Sequence, residues 1–401
     1  MLSYVLVLAV AVVVTAVCSY GVLWLAKRFQ LAPEVRERDV HQNPTPRLGG
    51  VAMFIGLLAA FGAAASLPEF QGLFRADLKM WALIGACLLI AVIGVLDDLL
   101  DLDWMIKLGA QLVAAGVLAW NGVQIVSIPV GDTLIIGSPT VNFVLTVFLI
   151  TLVMNAVNFV DGLDGLVAGV AIIASGTFFV YTLILSSQLG SSASVTFASL
   201  IALALVGICV GFLPFNWHRA KMFMGDTGAL LVGLLMATST VSVTGELNPA
   251  ALDLKLVLAS YIPILLPFAV LAMPLADFAL AVLRRLRAGK SPFEADRQHL
   301  HHRLLDMGHS PVQAVSIFYL GTAVLSAAGL LVFTSQSFVV PIIVLVAGLV
   351  VGALLVKFPA SRVRAAAPQR RPVALTGRGA PVEAAEAPAE AGGEPNERTP
   401  E

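Results

Sequence analysis

Trp81-Ala-Leu-Ile-Gly-Ala-Cys-Leu-Leu-Ile-Ala-Val-Ile-Gly-Val-Leu96 runs straight into Asp97-Asp98. With Met80 this uncharged run reaches the lower limit for a membrane helix, roughly 17 mostly apolar residues. Ionisable groups are costly at membrane depth and mark function there by default. The pattern recurs twice. Asn155-Ala-Val-Asn158-Phe-Val-Asp161-Gly-Leu-Asp164-Gly165 closes another apolar run, and Phe223-Met-Gly-Asp226-Thr-Gly228 follows a third.

The rest of the chain agrees with a membrane protein. Of 401 residues 58% are hydrophobic and 12% charged, with a mean hydropathy of +0.91; a soluble domain carries about 25% charged residues. An all-α integral membrane protein is predicted, with eleven spans at 2–26, 48–67, 80–96, 106–121, 141–158, 164–186, 195–213, 227–244, 256–282, 312–333 and 338–357. The fourth is the weakest pattern, because it is short and contains Lys107 and Gln111; a count of ten stays open. The first run has no basic residue before it and is too long for a signal-peptide core, so it reads as a retained helix stopped by Lys27-Arg28. Cys18, Cys87 and Cys209 lie inside apolar runs and fit no zinc spacing, so they read as packing residues.

Eleven spans starting outside leave Arg75, Lys79 and Lys255 in outer segments and the other 21 of the 24 basic residues inside. That bias is expected of a correctly oriented membrane protein. The N-terminus is therefore expected outside and all three acid clusters inside. The outer loop after span four has β-branched residues around Gly131-Asp132 and predicts a small β-hairpin. Residues 1–358 form one polytopic domain. Residues 359–401 lack apolar periodicity and predict a disordered tail, basic at 362–378 and acidic at 383–401. The net charge of −1 says nothing about partners because the charges are segregated.

Paired carboxylates such as Asp97 and Asp98 can hold a divalent metal, or raise one another's pKa until one serves as a base. Asp101 and Asp103 read as solvated loop residues. Asn155 and Asn158 share a helix face, and Gly162 and Gly165 loosen the backbone beside Asp161 and Asp164. Asn and Asp oxygens suit a hard cation; a capped helix end is the plainer reading. A Gly225-Asp226-Thr227-Gly228 turn before a helix offers backbone N–H groups to a phosphate, unless Asp226 is only the N-cap. A long inner segment carries Asp296-Arg297-Gln-His299-Leu-His301-His302-Arg303. Such cations, facing an acidic membrane surface, suit a diphosphate whose remaining charge is screened by metal. Zinc and a lipid-headgroup patch are the rivals. Asp277, inside the ninth predicted span, could be structural or part of the site.

These motifs resemble the polyprenyl-phosphate N-acetylhexosamine-1-phosphate transferases, membrane enzymes that start bacterial envelope glycans. The resemblance runs from His41-Gln-Asn-Pro-Thr-Pro-Arg-Leu-Gly-Gly50 to about Gln313 and rests on five stretches in the family's order. Ser291-Pro-Phe-x-x-Asp296-Arg297-x-His299-x-His301-His302 looks like the branch using UDP-N-acetylglucosamine and undecaprenyl phosphate. The peptidoglycan branch has three consecutive histidines where Leu300 interrupts them here. The resemblance implies that Asp226, helped by Asn158, binds Mg²⁺, with Mn²⁺ as a substitute. It implies that Lys107 contacts the nucleotide diphosphate and that Asp164 and Phe223 hold the uracil. Arg297, His299, His301 and His302 then bind pyrophosphate and sugar. Asp97 or Asp98 is the base or nucleophile; Asp161 and Asn155 match motif positions of less defined role. The implied place is the bacterial cytoplasmic membrane, among lipid, with no nucleic-acid partner; a homodimer stays open.

Two routes fit this chemistry. The lipid phosphate attacks the donor's β-phosphorus directly and releases UMP, or an Asp first forms a covalent phosphosugar. A phosphate whose second pKa is about 6 is already largely dianionic at neutral pH, which favours the direct route. The donor could also be another UDP-N-acetylhexosamine or the peptidoglycan precursor. An ion-coupled transporter would use buried acids as well, but near the bilayer midplane on broken helices; here most acids stand at span ends.

Overall fold

A computed structural model of the chain describes residues 1–30, 45–75, 78–125, 127–130, 133–189, 192–244, 300–335 and 338–357, with isolated positions between 279 and 289. The helices are α1 (Leu2–Arg28), α2 (Gly49–Ser66), α3 (Gln71–Arg75), α4 (Leu78–Leu100), α5 (Trp104–Trp120), α6 (Pro139–Val160), α7 (Leu166–Leu189), α8 (Ala193–Asn216), α9 (Gly225–Val243), α10 (Leu300–Asp306), α11 (Pro311–Thr334) and α12 (Val339–Lys357). Between α5 and α6, β1 (Ser127–Val130) pairs antiparallel with β2 (Thr133–Ile136), Val130 opposite Thr133. Among the described residues nine helices are long and apolar enough to cross a membrane, and α5 is a shorter apolar helix. The protein is a multi-pass integral membrane protein. Ten predicted spans coincide with helices to within a few residues; the ninth, 256–282, lies outside the described residues except for isolated positions from 279, and the tail from 359 lies outside them altogether.

One boundary bears on function. α4 does not stop at Leu96 but continues to Leu100, so Asp97 and Asp98 belong to the helix rather than follow it. The helix persists because both carboxylates find partners on neighbouring elements, and charge alone does not end it.

From α4 to α9 successive helices alternate in direction. The ends of α4, α6 and α8 and the starts of α5, α7 and α9 therefore share one end of the bundle. At the far end the Ile125 N–H donates to Thr146 Oγ1 at 2.9 Å, and the Thr244 hydroxyl reaches the Gln124 carbonyl at 3.5 Å.

The central element is α9, packed against α2, α4, α6 and α8 and buried along nearly its whole length. Lipid is as apolar as leucine, so helices associate there through close packing and hydrogen bonds rather than through burial of apolar surface. Glycines let α9 in. A Cβ on Gly50 of α2 would lie 2.3 Å from the Gly228 nitrogen, and one on Gly94 of α4 would lie 2.4 Å from the Thr227 Cα. Those contacts set the start of α9, and with it Asp226, against the last turns of α4. By contrast α12 packs on α11 and turns almost all its surface outward, as a lipid-facing helix does.

Candidate active site

Asp97 and Asp98 are adjacent on α4, so their side chains diverge by roughly 100° around the helix axis. Asp98 turns to α9. Its Oδ1 accepts from the Asp226 N–H at 3.0 Å, and its Oδ2 accepts from the Thr227 N–H at 3.3 Å and the Thr227 hydroxyl at 2.8 Å. A helix leaves its first N–H groups without internal partners. The N-cap of α9, Met224, has no side-chain acceptor to offer, and a carboxylate from another helix fills that role. Gly225 makes the approach possible: its φ is +69°, and a Cβ there would lie 2.4 Å from Asp98 Oδ2 and 2.3 Å from the Arg47 carbonyl. This corrects the expectation that the 225–228 turn presents its amides to a phosphate, because Asp98 already occupies two of them. Nor is Asp226 the N-cap; it is the second residue of the helix.

Asp97 turns to α5. Its Oδ1 accepts from the Leu102 N–H at 2.9 Å, and its Oδ2 lies 3.1 Å from Lys107 Nζ. The same ammonium lies 3.2 Å from Asp226 Oδ2, which also accepts from Asn158 Nδ2 at 3.4 Å. Lys107 thus joins a carboxylate of α4 to one of α9, and both it and Asp226 keep about a quarter of their side-chain surface open, 25% and 27%. One turn along α5, Gln111 Oε1 accepts from Asn155 Nδ2 at 2.5 Å, and the same amide nitrogen donates to the Thr151 carbonyl at 2.8 Å. Lys107 and Gln111 therefore face Asn158 and Asn155 of α6. The polarity that made α5 the weakest predicted span is the polarity of the site.

Asp161 ends α6. Burial pushes its carboxyl up to about 7; the Asp226, Asp98 and Asp164 carboxylates push the same way, and Arg47 opposes them. Asp164 is buried, its Oδ2 accepting from the Ala220 N–H at 3.1 Å and lying 3.2 Å from His218 Nδ1. Phe223 is half-buried and tied by its backbone to the segment before α2: its N–H donates to the Pro46 carbonyl at 2.9 Å and its carbonyl accepts from the Gly49 N–H at 3.0 Å. That pairing brings Arg47 to the Asp161 side of the site. Asp103 caps α5, accepting from the Met105 N–H at 2.8 Å. Arg297, His299 and Asp277 lie outside the described residues, and of His301 and His302, on α10, only the backbone is described.

Several contributors escaped the sequence reading. Thr227, His218, Asn216, Gln111 and Arg47 all touch or face the predicted residues. A signal existed for some. Gln111 stands four residues from Lys107, and Asn216-Trp217-His218 interrupts an otherwise apolar stretch.

Among the described residues no three His, Cys, Asp or Glu side chains converge on one point. The donors are nonetheless hard oxygens, and the Lys107 ammonium already holds a cation's place between Asp97 and Asp226. A Mg²⁺ ion needs only one or two carboxylates when phosphates and water complete its shell. Asp226 with the amide oxygen of Asn158, turned toward it, fits that description.

The interval 80–244, which holds all three acid clusters, matches the model of glycosyl transferase family 4. Over 318 residues the chain is 40% identical to the decaprenyl-phosphate N-acetylglucosaminephosphotransferase of Mycobacterium leprae (strain TN), across 78% of this chain and 80% of that protein. The chain belongs to glycosyl transferase family 4. It is also 34% identical over 287 residues to the probable undecaprenyl-phosphate N-acetylglucosaminyl 1-phosphate transferase of Bacillus subtilis (strain 168), across 71% of this chain and 72% of that one. With the undecaprenyl-phosphate alpha-N-acetylglucosaminyl 1-phosphate transferase of Escherichia coli (strain K12) it shares 29% over 311 residues, 77% and 78% of the two chains. In this family-4 protein Asp97, Asp98, Lys107, Asn158 and Asp226 lie inside the matched interval, and Arg47 precedes it.

Proposed function

We propose that this family-4 protein transfers N-acetylglucosamine-1-phosphate from UDP-N-acetylglucosamine to a polyprenyl phosphate, releasing UMP, at the cytoplasmic face of a bacterial membrane. The observation that carries the reading is the meeting of Asp97, Lys107, Asn158 and Asp226 at one end of the bundle, in a chain whose relatives bear that activity in their names. Two anions must be brought together, a soluble sugar nucleotide and a phosphate fixed at the leaflet surface. A site of alternating carboxylates and a lysine at the ends of spans is placed for that task; a transporter site belongs near the midplane.

The residues divide the work. Asp226 and Asn158 would hold Mg²⁺, or Mn²⁺ in its place, which would supply charge screening for the diphosphate. Lys107 leaves its two carboxylates for the nucleotide diphosphate. Asp164 and Phe223 hold the uracil. Asp97, with one oxygen on the Leu102 amide and the other toward Lys107, orients the lipid phosphate for in-line attack. Asp98 keeps the start of α9, and so Asp226, in place. Arg297, His299, His301 and His302 bind pyrophosphate and sugar. Asn155 ties α6 to Gln111 of α5 beside Lys107, and Asp161 stands at the end of α6 among the other carboxylates.

The acceptor expected from the sequence, undecaprenyl phosphate, appears in the names of the Bacillus and Escherichia relatives, whereas the mycobacterial ones are named for decaprenyl phosphate. Both belong in the assay. Purified protein with Mg²⁺ and either acceptor is expected to release UMP from UDP-N-acetylglucosamine, and release only from other UDP-sugars would change the donor. Exchange of labelled UMP into the donor without lipid would overturn direct attack in favour of a covalent phosphosugar on Asp.

A further inference from the structure

Both polar backbone groups of Gly165 are held by side chains from other helices. Its N–H donates to Asn216 Oδ1 of α8 at 3.0 Å, and its carbonyl accepts from the Tyr319 hydroxyl of α11 at 2.5 Å. The residue has φ +73°, a conformation that glycine adopts freely and that glycine alone does little to stiffen. Asn216 passes the restraint on, donating through Nδ2 to the Met222 carbonyl at 3.1 Å, next to Phe223. The Tyr319 ring also lies directly over Gly169, where a Cβ would come within 2.1 Å of it. A tyrosine from a helix that follows the histidine-bearing α10 thus reaches into the 161–165 turn, and it lies outside the interval that matches the family.

We infer that Tyr319 is a positioning residue that holds the 161–165 turn in its nucleotide-binding geometry. The inference rests on the reading that Asp164 and Phe223 receive the uracil. Asp164 is fixed at its carboxylate by Ala220 and His218; on its main-chain side the peptide that follows Gly165 is fixed by Tyr319. Without the hydroxyl, the Gly165 carbonyl keeps only the Gly169 N–H of its own helix, at 3.0 Å, and the turn loses its tie to α11. The uracil must then order the turn on binding, which weakens affinity and leaves the transfer step itself untouched. The neighbours on the same helix supply a control. Among the described residues the buried hydroxyls of Thr322 and Ser326 meet no hydrogen-bond partner.

The test is UMP affinity by titration calorimetry on the purified full chain in detergent, for wild type, Tyr319→Phe and Thr322→Val, with steady-state kinetics beside it. Tyr319→Phe is expected to weaken UMP binding about tenfold, near the worth of one hydrogen bond. It should raise the KM for the donor in parallel and keep kcat within about twofold, because the transfer step is untouched. Thr322→Val is expected to leave UMP affinity unchanged. UMP affinity in Tyr319→Phe within twofold of wild type would overturn the inference, and so would a loss of kcat at constant KM. Equal weakening in both variants would show a general softening of α11 and overturn it too. A wild type that melts cooperatively yet binds no uridine nucleotide would sink the functional reading and this inference with it, a result distinct from the others.

Discussion

Asp98→Asn separates two adjacent carboxylates that look alike in sequence. Asp98 accepts three hydrogen bonds at the start of α9. Asparagine keeps one acceptor oxygen and turns an NH₂ group toward the remaining donors. Hydrogen bonds to a charged group contribute about 1.5–3 kcal/mol each, and a carboxylate at a helix N-terminus adds about 0.3–2 kcal/mol. Relief of repulsion between Asp98 and Asp226 offsets part of the loss, which leaves a destabilisation of about 2–4 kcal/mol. At about 2–4 °C per kcal/mol, thermal melting of detergent-purified protein should fall by about 5–15 °C. Turnover should fall with it, since Asp226 sits on the turn that loosens. Asp97→Asn behaves differently: it can still accept from Leu102, and Lys107 keeps Asp226, so melting should stay near wild type while turnover is lost. An Asp98→Asn variant that melts with wild type, or an Asp97→Asn variant that alone melts low, would refute this division of roles.

Other consequences are open to direct measurement. Gly225→Ala forces a Cβ into the Asp98 carboxylate and the Arg47 carbonyl at a positive φ, and should destabilise by about 3 kcal/mol or more; unchanged melting would contradict the packing described. Asp226→Ala should abolish Mg²⁺-dependent turnover and lower Mn²⁺ binding in electron paramagnetic resonance while the protein still inserts; near-wild-type activity would remove Asp226 from the metal site. Asp161 titrates near 7 in the fold against about 3.9 in an unfolded chain. Its raised pKa stabilises the fold fully below about pH 4, and this contribution is lost as pH rises through 7. In metal-free buffer the melting advantage of Asp161→Asn over wild type should therefore grow from pH 4 to 7 and level off above, and a flat difference would contradict it.

The membrane architecture was legible because its signal is long-range and redundant: most spans repeat the same uncharged pattern, and the basic residues are biased to one set of the segments between them. The acid clusters were legible for the same reason, standing against an apolar background. Their meeting followed from topology, since alternating spans put 97–98, 158–164 and 226 at one end. What the sequence could not show was direction. Asp97 and Asp98 differ by one position, yet one faces α5 and the other caps α9, an orientation that goes with the close packing of Gly94 on Thr227 and of Gly225 on Asp98. The 225–228 turn misled for a related reason. Its free amides were a sound local expectation, but the acceptor that takes them lies 128 residues away. Tyr319 was invisible because a single tyrosine in an apolar helix carries no pattern.

The most direct test is mass analysis of the lipid after incubating purified protein with UDP-N-acetylglucosamine, Mg²⁺ and undecaprenyl or decaprenyl phosphate. The expected product is a polyprenyl diphosphate bearing one N-acetylhexosamine, formed in step with UMP. UMP with unmodified lipid, or a lipid monophosphate sugar with UDP, would contradict transfer of sugar-1-phosphate.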